Sequence, residues 1–259
     1  MKHWRQCNNL LSLIVLASVA VFLFGCGSED DLTQMSAEER FAIGKAQFDD
    51  KEYLKAIESF RLIVLQYPGS EVADDAQFLM AEARFIREEY LLAAFEYDVL
   101  MRSMSTSPFV PQARFRKALC YYRLSPSSHL DQEHTRLAVD EFQAFIEYSP
   151  TDTLVPQAES MIKELIERLA EKEFKTGLLY MTMEYYRAAT ISFEHVMEKY
   201  HDTKFAESAL LKKAEAAYYR KKYDDARALL AEFRVKYPAS AFAKDADDLE
   251  MKFRDVKRD

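Results

Sequence analysis

Apolar positions along this chain recur with helical spacing, and one frame of them returns five times. From Tyr53, a small residue follows at three steps (Ala56), an aromatic at seven (Phe60), and Tyr67-Pro68 at fourteen and fifteen. Tyr186 leads by the same steps to Ala189, Phe193, Tyr200 and His201, and Tyr223 leads to Ala226, Leu230, Tyr237 and Pro238. Tyr90 leads to Ala93, Tyr97, Met104 and Ser105, and Thr135 to Ala138, Phe142, Ser149 and Pro150. Positions three and seven steps from an origin lie one turn apart on one face, so each frame predicts a helix that buries that face. Proline cannot continue a helix and closes the frame.

A second helical segment precedes each origin. Nine residues upstream stands a small residue (Gly44, Ala81, Gly177, Ala214), and five upstream a bulky one (Phe48, Phe85, Met181, Tyr218). Small residues admit close approach of an antiparallel partner, and bulky ones fill the groove between hairpins. Beyond each Pro or its stand-in a further echo appears: Ser70, Ala73, Ala76; Thr203, Ala206, Ala209; Ser240, Ala243, Ala246. Its Ser or Thr is expected to N-cap the next helix. Ser36 and Glu39 have the spacing of a capping box that opens the first helix. Paired helices at this period follow the tetratricopeptide (TPR) pattern, here with a step of 37 residues between origins 53 and 90 and between 186 and 223. The fold class is therefore all-α: a TPR-like superhelical solenoid of five helix pairs with a C-terminal capping helix. The units fall near 36–68, 69–105, 106–150, 151–201 and 202–238, with the cap at 239–259.

Two spacings break the period. Origins 90 and 135 are 45 apart, and Ser125-Pro126-Ser127-Ser128 marks the eight extra residues as a loop. Origins 135 and 186 are 51 apart, and no breaker interrupts Gln157 to Lys175. That excess of fourteen predicts about four extra turns on the first helix of unit four, which then joins two sub-arrays.

Composition agrees with helices: apolar residues are 49% and charged residues 30%, with five Gly and seven Pro in 259 residues. This excludes a mainly disordered chain and argues against many short strands. The net charge of −8 makes nucleic acid an unsuitable partner. The charge is uneven. Residues 27–107 carry 8 basic and 17 acidic side chains, whereas residues 203–237 carry 9 and 5, with Lys212, Lys213, Arg220, Lys221 and Lys222 among them. An acidic front and a basic fifth unit point to two different binding surfaces.

Residues 1–25 read as a signal peptide, with Lys2 and Arg5 ahead of the uncharged run Leu10 to Phe24. The run ends in Leu23-Phe24-Gly25-Cys26, which resembles a bacterial lipobox, although Phe24 stands where a small residue is usual. The resemblance implies cleavage before Cys26, lipidation of Cys26 and a tether over 26–35. Three acyl chains exceed the two signals that stable anchoring needs. Gly27 follows the Cys where an Asp would favour inner-membrane retention, so the outer membrane is expected. Cys7 and Trp4 leave with the signal. Cys120 is then the single free thiol, no disulfide forms within a chain, and the mature protein has no tryptophan.

No residue set here suits catalysis. His129 and His134 are five apart and do not share a helical face as in a metalloprotease motif; both are expected in the solvated inserted loop. His195 and His201 straddle a helix end. Cys120 aligns with Ala46, Ala83 and Ala216, small packing positions, and reads as a buried hydrophobe. The expectation is a protein that is not an enzyme and uses no cofactor or metal.

The lipobox ending at Cys26, the five units, the stretch Asp131 to Pro150, the long helix into Arg168-Leu169-Ala170, the run Gly177 to Arg187 and Tyr237-Pro238 together resemble one family. It is the family of TPR lipoproteins of the outer-membrane β-barrel assembly (BAM) machinery. The resemblance implies a scaffold held on the outer membrane by its lipid and facing the periplasm. Its partners would be the periplasmic domains of the central barrel protein and unfolded outer-membrane proteins. Substrate capture would fall in the first units and docking in the later ones, where Lys212, Lys213, Arg220, Lys221 and Lys222 are the candidates. The other reading of the same residues is a different periplasmic TPR protein, one that coordinates cell-wall synthesis with envelope constriction.

Overall fold

The computed structural model describes residues 35–256, with side chains to residue 253, and contains eleven helices and no strand among them. In chain order they are α1 (Ala37–Asp49), α2 (Tyr53–Gln66), α3 (Ala73–Ile86), α4 (Tyr90–Ser103), α5 (Val110–Leu124), α6 (Glu133–Tyr148), α7 (Val155–Thr182), α8 (Tyr186–Lys199), α9 (Phe205–Tyr219), α10 (Tyr223–Lys236) and α11 (Ala243–Val256). Consecutive helices pack as antiparallel hairpins, and the odd-numbered helices α1/α3, α5/α7 and α7/α9 also meet. The result is a stack of five hairpins closed by α11, an all-α TPR-like solenoid. The expected signal peptide and Cys26 lie outside the described residues.

The repeated frame is the core. The residues three steps from each origin (Ala56, Ala93, Ala138, Ala189, Ala226) are fully buried, as are Phe60, Tyr97, Phe142 and Phe193 at seven steps. A third layer, Ile63, Leu100, Phe145, Val196 and Phe233, is buried ten steps from each origin and completes the stripe. Opposite these rings stand the glycines. A Cβ built on Gly44 would lie 2.8 Å from the Phe60 ring, and one built on Gly177 would lie 2.5 Å from that of Phe193. The hairpins of units one and four can close this far only because neither helix carries a side chain there. Ala46 departs from its aligned partners: it is exposed, while Ala83, Cys120 and Ala216 are buried, because among the described residues no hairpin precedes the first unit to cover it.

The capping box forms, with Ser36 Oγ accepting from the Glu39 amide at 3.1 Å and Glu39 Oε2 accepting from the Ser36 amide at 2.9 Å. The other N-caps do not. Val72 and Lys204 occupy the caps of α3 and α9, without a side-chain bond. Ser70, Thr203 and Ser240 sit upstream, inside a turn that follows the Tyr-Pro pair or, at Thr203, Tyr200-His201: the Ser70 carbonyl accepts from the Ala73 amide at 3.2 Å, and Thr203 Oγ1 donates to the Tyr200 carbonyl at 2.7 Å. The echo therefore fixes the corner between hairpins. Proline has a second role as well, since Pro111 and Pro156 lie in the first turns of α5 and α7, where their missing N–H costs nothing.

Both insertions take their expected form. α7 runs for 28 residues against 13 to 16 in every other helix, and residues 125–132 form a loop. That loop is bound rather than merely solvated. Arg168 Nη1 donates to Ser125 Oγ (2.7 Å) and to the Ser125 and Pro126 carbonyls (3.0 and 3.3 Å), while Lys172 Nζ reaches the His129 carbonyl at 3.0 Å. Ser128 and Gln132 are buried within it. His129 is exposed as expected, but His134 belongs to the first turn of α6, half-buried with its ring stacked 6.2 Å from Tyr121.

Candidate docking surfaces

Within four of the five hairpins the turn has one construction. Lys51, Glu88, Glu184 and Lys221 adopt φ of 64°, 62°, 61° and 60°. In each, the amide of this residue and the next bond back into the preceding helix. At the last, Lys221 N donates to the Tyr218 carbonyl (2.8 Å) and Lys222 N to that of Ala217 (3.0 Å), the Schellman pattern. This geometry turns Arg220, Lys221 and Lys222 outward at the tip of the fifth hairpin. Lys222 Nζ lies 3.2 Å from Asp225, and among the described residues Arg220 and Lys221 make no ion pair.

The other two basic candidates are elsewhere. Lys213 points back to α8, where Nζ meets Glu194 at 2.9 Å and the side chain is only 16% exposed. Lys212 faces α11 and bonds Glu215 at 2.8 Å, and Lys252 approaches the same carboxylate at 3.9 Å. The five residues thus make three surfaces: a hairpin tip with two unpaired cations, a lateral pair to α8, and a bridged cluster between α9 and α11. Of these three surfaces the tip presents the cations that no carboxylate pairs, suited to an acidic patch on a partner.

Sequence reasoning missed a polar ladder that ties α3 to α6. Glu82 takes Tyr97 Oη and Arg116 as partners, with Glu82 and Tyr97 both buried. Arg84 joins Glu89 and Glu96, each at 3.2 Å. Lys117 joins Asp98 at 3.0 Å and Glu141 at 2.7 Å. Burial alone would lower the Lys117 pKa, but its bonds to Glu141 and Asp98 outweigh that and raise it. Burial, with the Glu82 charge, pushes the Tyr97 hydroxyl far up and the Cys120 thiol up to about 12. The Lys117–Asp98 pair recurs as Lys213–Glu194, 19 residues apart at the same repeat positions, whereas among the described residues the Glu82 and Arg84 pairs have no such copy. These charges are cross-braces: Arg84 ties α3 to α4, Arg116 ties α5 to α3, and Lys117 on α5 holds both α4 and α6.

Among the described residues no group of three or more His, Cys, Asp or Glu is placed to hold a metal, and no helix is long and apolar enough to cross a membrane. Stacked hairpins with an open odd-helix face and charged tips define the class, a TPR-like scaffold. The chain belongs to the outer membrane lipoprotein family whose model, YfiO, matches residues 33–229. It is similar to proteins named outer membrane protein assembly factor BamD. That of Rickettsia prowazekii (strain Madrid E) is 27% identical over 237 residues, 91% of this chain and 94% of that one. That of Caulobacter vibrioides (strain ATCC 19089 / CIP 103742 / CB 15) is 24% identical, over 82% of this chain and 70% of that one. That of Haemophilus influenzae (strain ATCC 51907 / DSM 11121 / KW20 / Rd) is 22% identical, over 78% and 82%.

Proposed function

We propose that this protein is a non-enzymatic scaffold of the outer-membrane β-barrel assembly machinery, held to the membrane by lipid on Cys26 and facing the periplasm. The observation that carries the reading is the match to the outer membrane lipoprotein family over 33–229, in a chain whose relatives are named as outer-membrane assembly factors. The same match favours this role over that of a wall-synthesis coordinator. Unfolded outer-membrane proteins engage the first units, and the periplasmic domains of the central barrel protein dock on the basic residues of the fifth. The unpaired Arg220 and Lys221 support that docking site, with Lys222 beside them; Lys212 and Lys213 take a lesser part, because their charges are already spent on Glu215 and Glu194.

Reversing Arg220, Lys221 and Lys222 to Glu together tests the docking. Rim charges act on association rate and are screened by salt, so capture of the barrel protein's periplasmic domains should weaken most at low ionic strength. The fold should survive, because among the described residues the only ion pair broken is the exposed one to Asp225, worth about 0.3–0.5 kcal/mol. Unchanged affinity at low and high salt, with an unchanged melt, would make the tip a solvated face. Palmitate-analogue labelling that is present in the wild type and absent in Cys26→Ser tests the anchor.

A further inference from the structure

Between α7, α9 and α11 the odd-helix face opens into a groove of about 450 Å³. Phe174, Leu178, Leu211, Phe242 and Leu249 give it an apolar floor. Its charged rim is asymmetric. The two cations of the rim, Lys212 on α9 and Lys252 on α11, are both engaged: they share the Glu215 carboxylate at 2.8 and 3.9 Å, and Lys252 also lies 5.5 Å over the Tyr219 ring. On the α11 side Asp245 and Asp248, one helical turn apart, face the groove, exposed and without an ion pair among the described residues. The groove therefore offers an apolar floor, a bridged Lys212–Glu215–Lys252 cluster and two unpaired carboxylates on α11.

We propose that this groove is a second docking site, separate from the hairpin tip, for a short peptide segment of a protein partner that carries an aromatic or branched apolar anchor beside an Arg or Lys. The anchor fills the floor, where desolvated apolar side chains supply the affinity, and the cation meets Asp245 and Asp248, which set the specificity. The volume falls in the range of sites that bury a few side chains or a small ligand. Charge complementarity separates the two sites of the C-terminal half: the tip at Arg220–Lys222 takes an acidic surface, and the groove takes a basic segment. One end of the scaffold can then hold two partners, or two parts of one partner, without competition.

The test uses the mature lipidated chain in nanodiscs and two fluorescein-labelled, end-capped nonapeptides. One is Gly-Ser-Phe-Leu-Arg-Lys-Leu-Gly-Ser; the other has Glu at both basic positions. Anisotropy should give the basic peptide at least about fivefold tighter binding at low salt, with the preference shrinking as salt rises. Asp245→Lys with Asp248→Lys should invert the preference, and Ser208→Phe, which fills the floor, should remove binding of both peptides while the melt stays cooperative. The Arg220, Lys221, Lys222 reversal should leave peptide binding unchanged, which separates failure here from failure of the tip as a docking site. Equal affinities, a basic preference that survives the double Lys variant, or no binding of either peptide would overturn the proposal.

Discussion

Glu184 enters the left-handed region without being a glycine, at φ 61°. A residue with a Cβ gives up roughly 1–2 kcal/mol there, and the Schellman bonds of the turn hold it in place. Seven residues earlier Gly177 is an ordinary helical residue pressed against the Phe193 ring. The two positions reverse the usual expectation for glycine. Glu184→Gly should stabilise the fold by about 0.5–1 kcal/mol, because strain is relieved where only glycine is at ease. Gly177→Ala should destabilise it by about 1–2 kcal/mol, because the overpacking term outweighs the helix-propensity gain. Thermal melts of both variants check the pair, and equal shifts of one sign would contradict the packing described. The glycine was legible in the sequence, as a small residue opposite an aromatic. The left-handed turns were not, since Lys, Glu, Glu and Lys occupy them and carry no composition signal.

Cys120 adds a pH dependence at the same scale. Its thiol is fully buried, and burial, then the Glu82 charge, raises its pKa from about 9 to about 12. Below pH 9 both the folded and unfolded thiols keep the proton, and nothing changes. Between about 9 and 12 the unfolded thiol ionises and the folded one does not, so stability falls as pH rises. The raised Tyr97 and Lys117 push in the same direction. Melting temperatures measured from pH 8 to 11 should therefore fall more steeply for the wild type than for Cys120→Ala; parallel curves would contradict the buried thiol.

At the scale of elements, the long helix and the loop work as one joint. The 28 residues of α7 extend for about 42 Å, so its first half packs with unit three and its second half with units four and five. The loop before α6 is clamped to it by Arg168, Lys172 and Lys175. Arg168 bonds two carbonyls and a hydroxyl of the loop, so Arg168→Ala leaves half-buried acceptors unserved and should cost about 1–2 kcal/mol. Hydrogen exchange should rise across residues 125–132 while the even-numbered helices of units one and two keep their protection. Unchanged exchange in the loop would remove the clamp from the account. The lengths of both insertions were plain from the broken period. Their mutual contact was not, because it joins residues 43 positions apart and no local pattern encodes it. The Ser and Thr echo failed as caps for a related reason: the corner after Tyr-Pro needs its own three-residue turn before a helix can start.

Over the whole molecule the repeat was legible because each buried stripe is written in local spacing, and five near-copies reinforce one another. The docking surfaces were only partly so. The sequence shows an excess of positive charge over residues 203–237, but not that three of its five candidate cations are bound to Glu194, Glu215 and Asp225. Pairing across helices decides what a surface presents, and composition cannot report it. The groove beside α11 likewise depends on which side chains three separate helices bring together.

This scaffold works at the outer membrane in barrel assembly. The most direct measurement is a pull-down of the tagged full-length protein from gently solubilised outer membrane, read by mass spectrometry against an untagged control. The central barrel protein of the assembly machinery should be the leading specific partner, diminished at low salt when Arg220, Lys221 and Lys222 are reversed. Recovery instead of Tol–Pal or cell-wall synthase components, with the barrel protein no more abundant than in the control, would contradict that role.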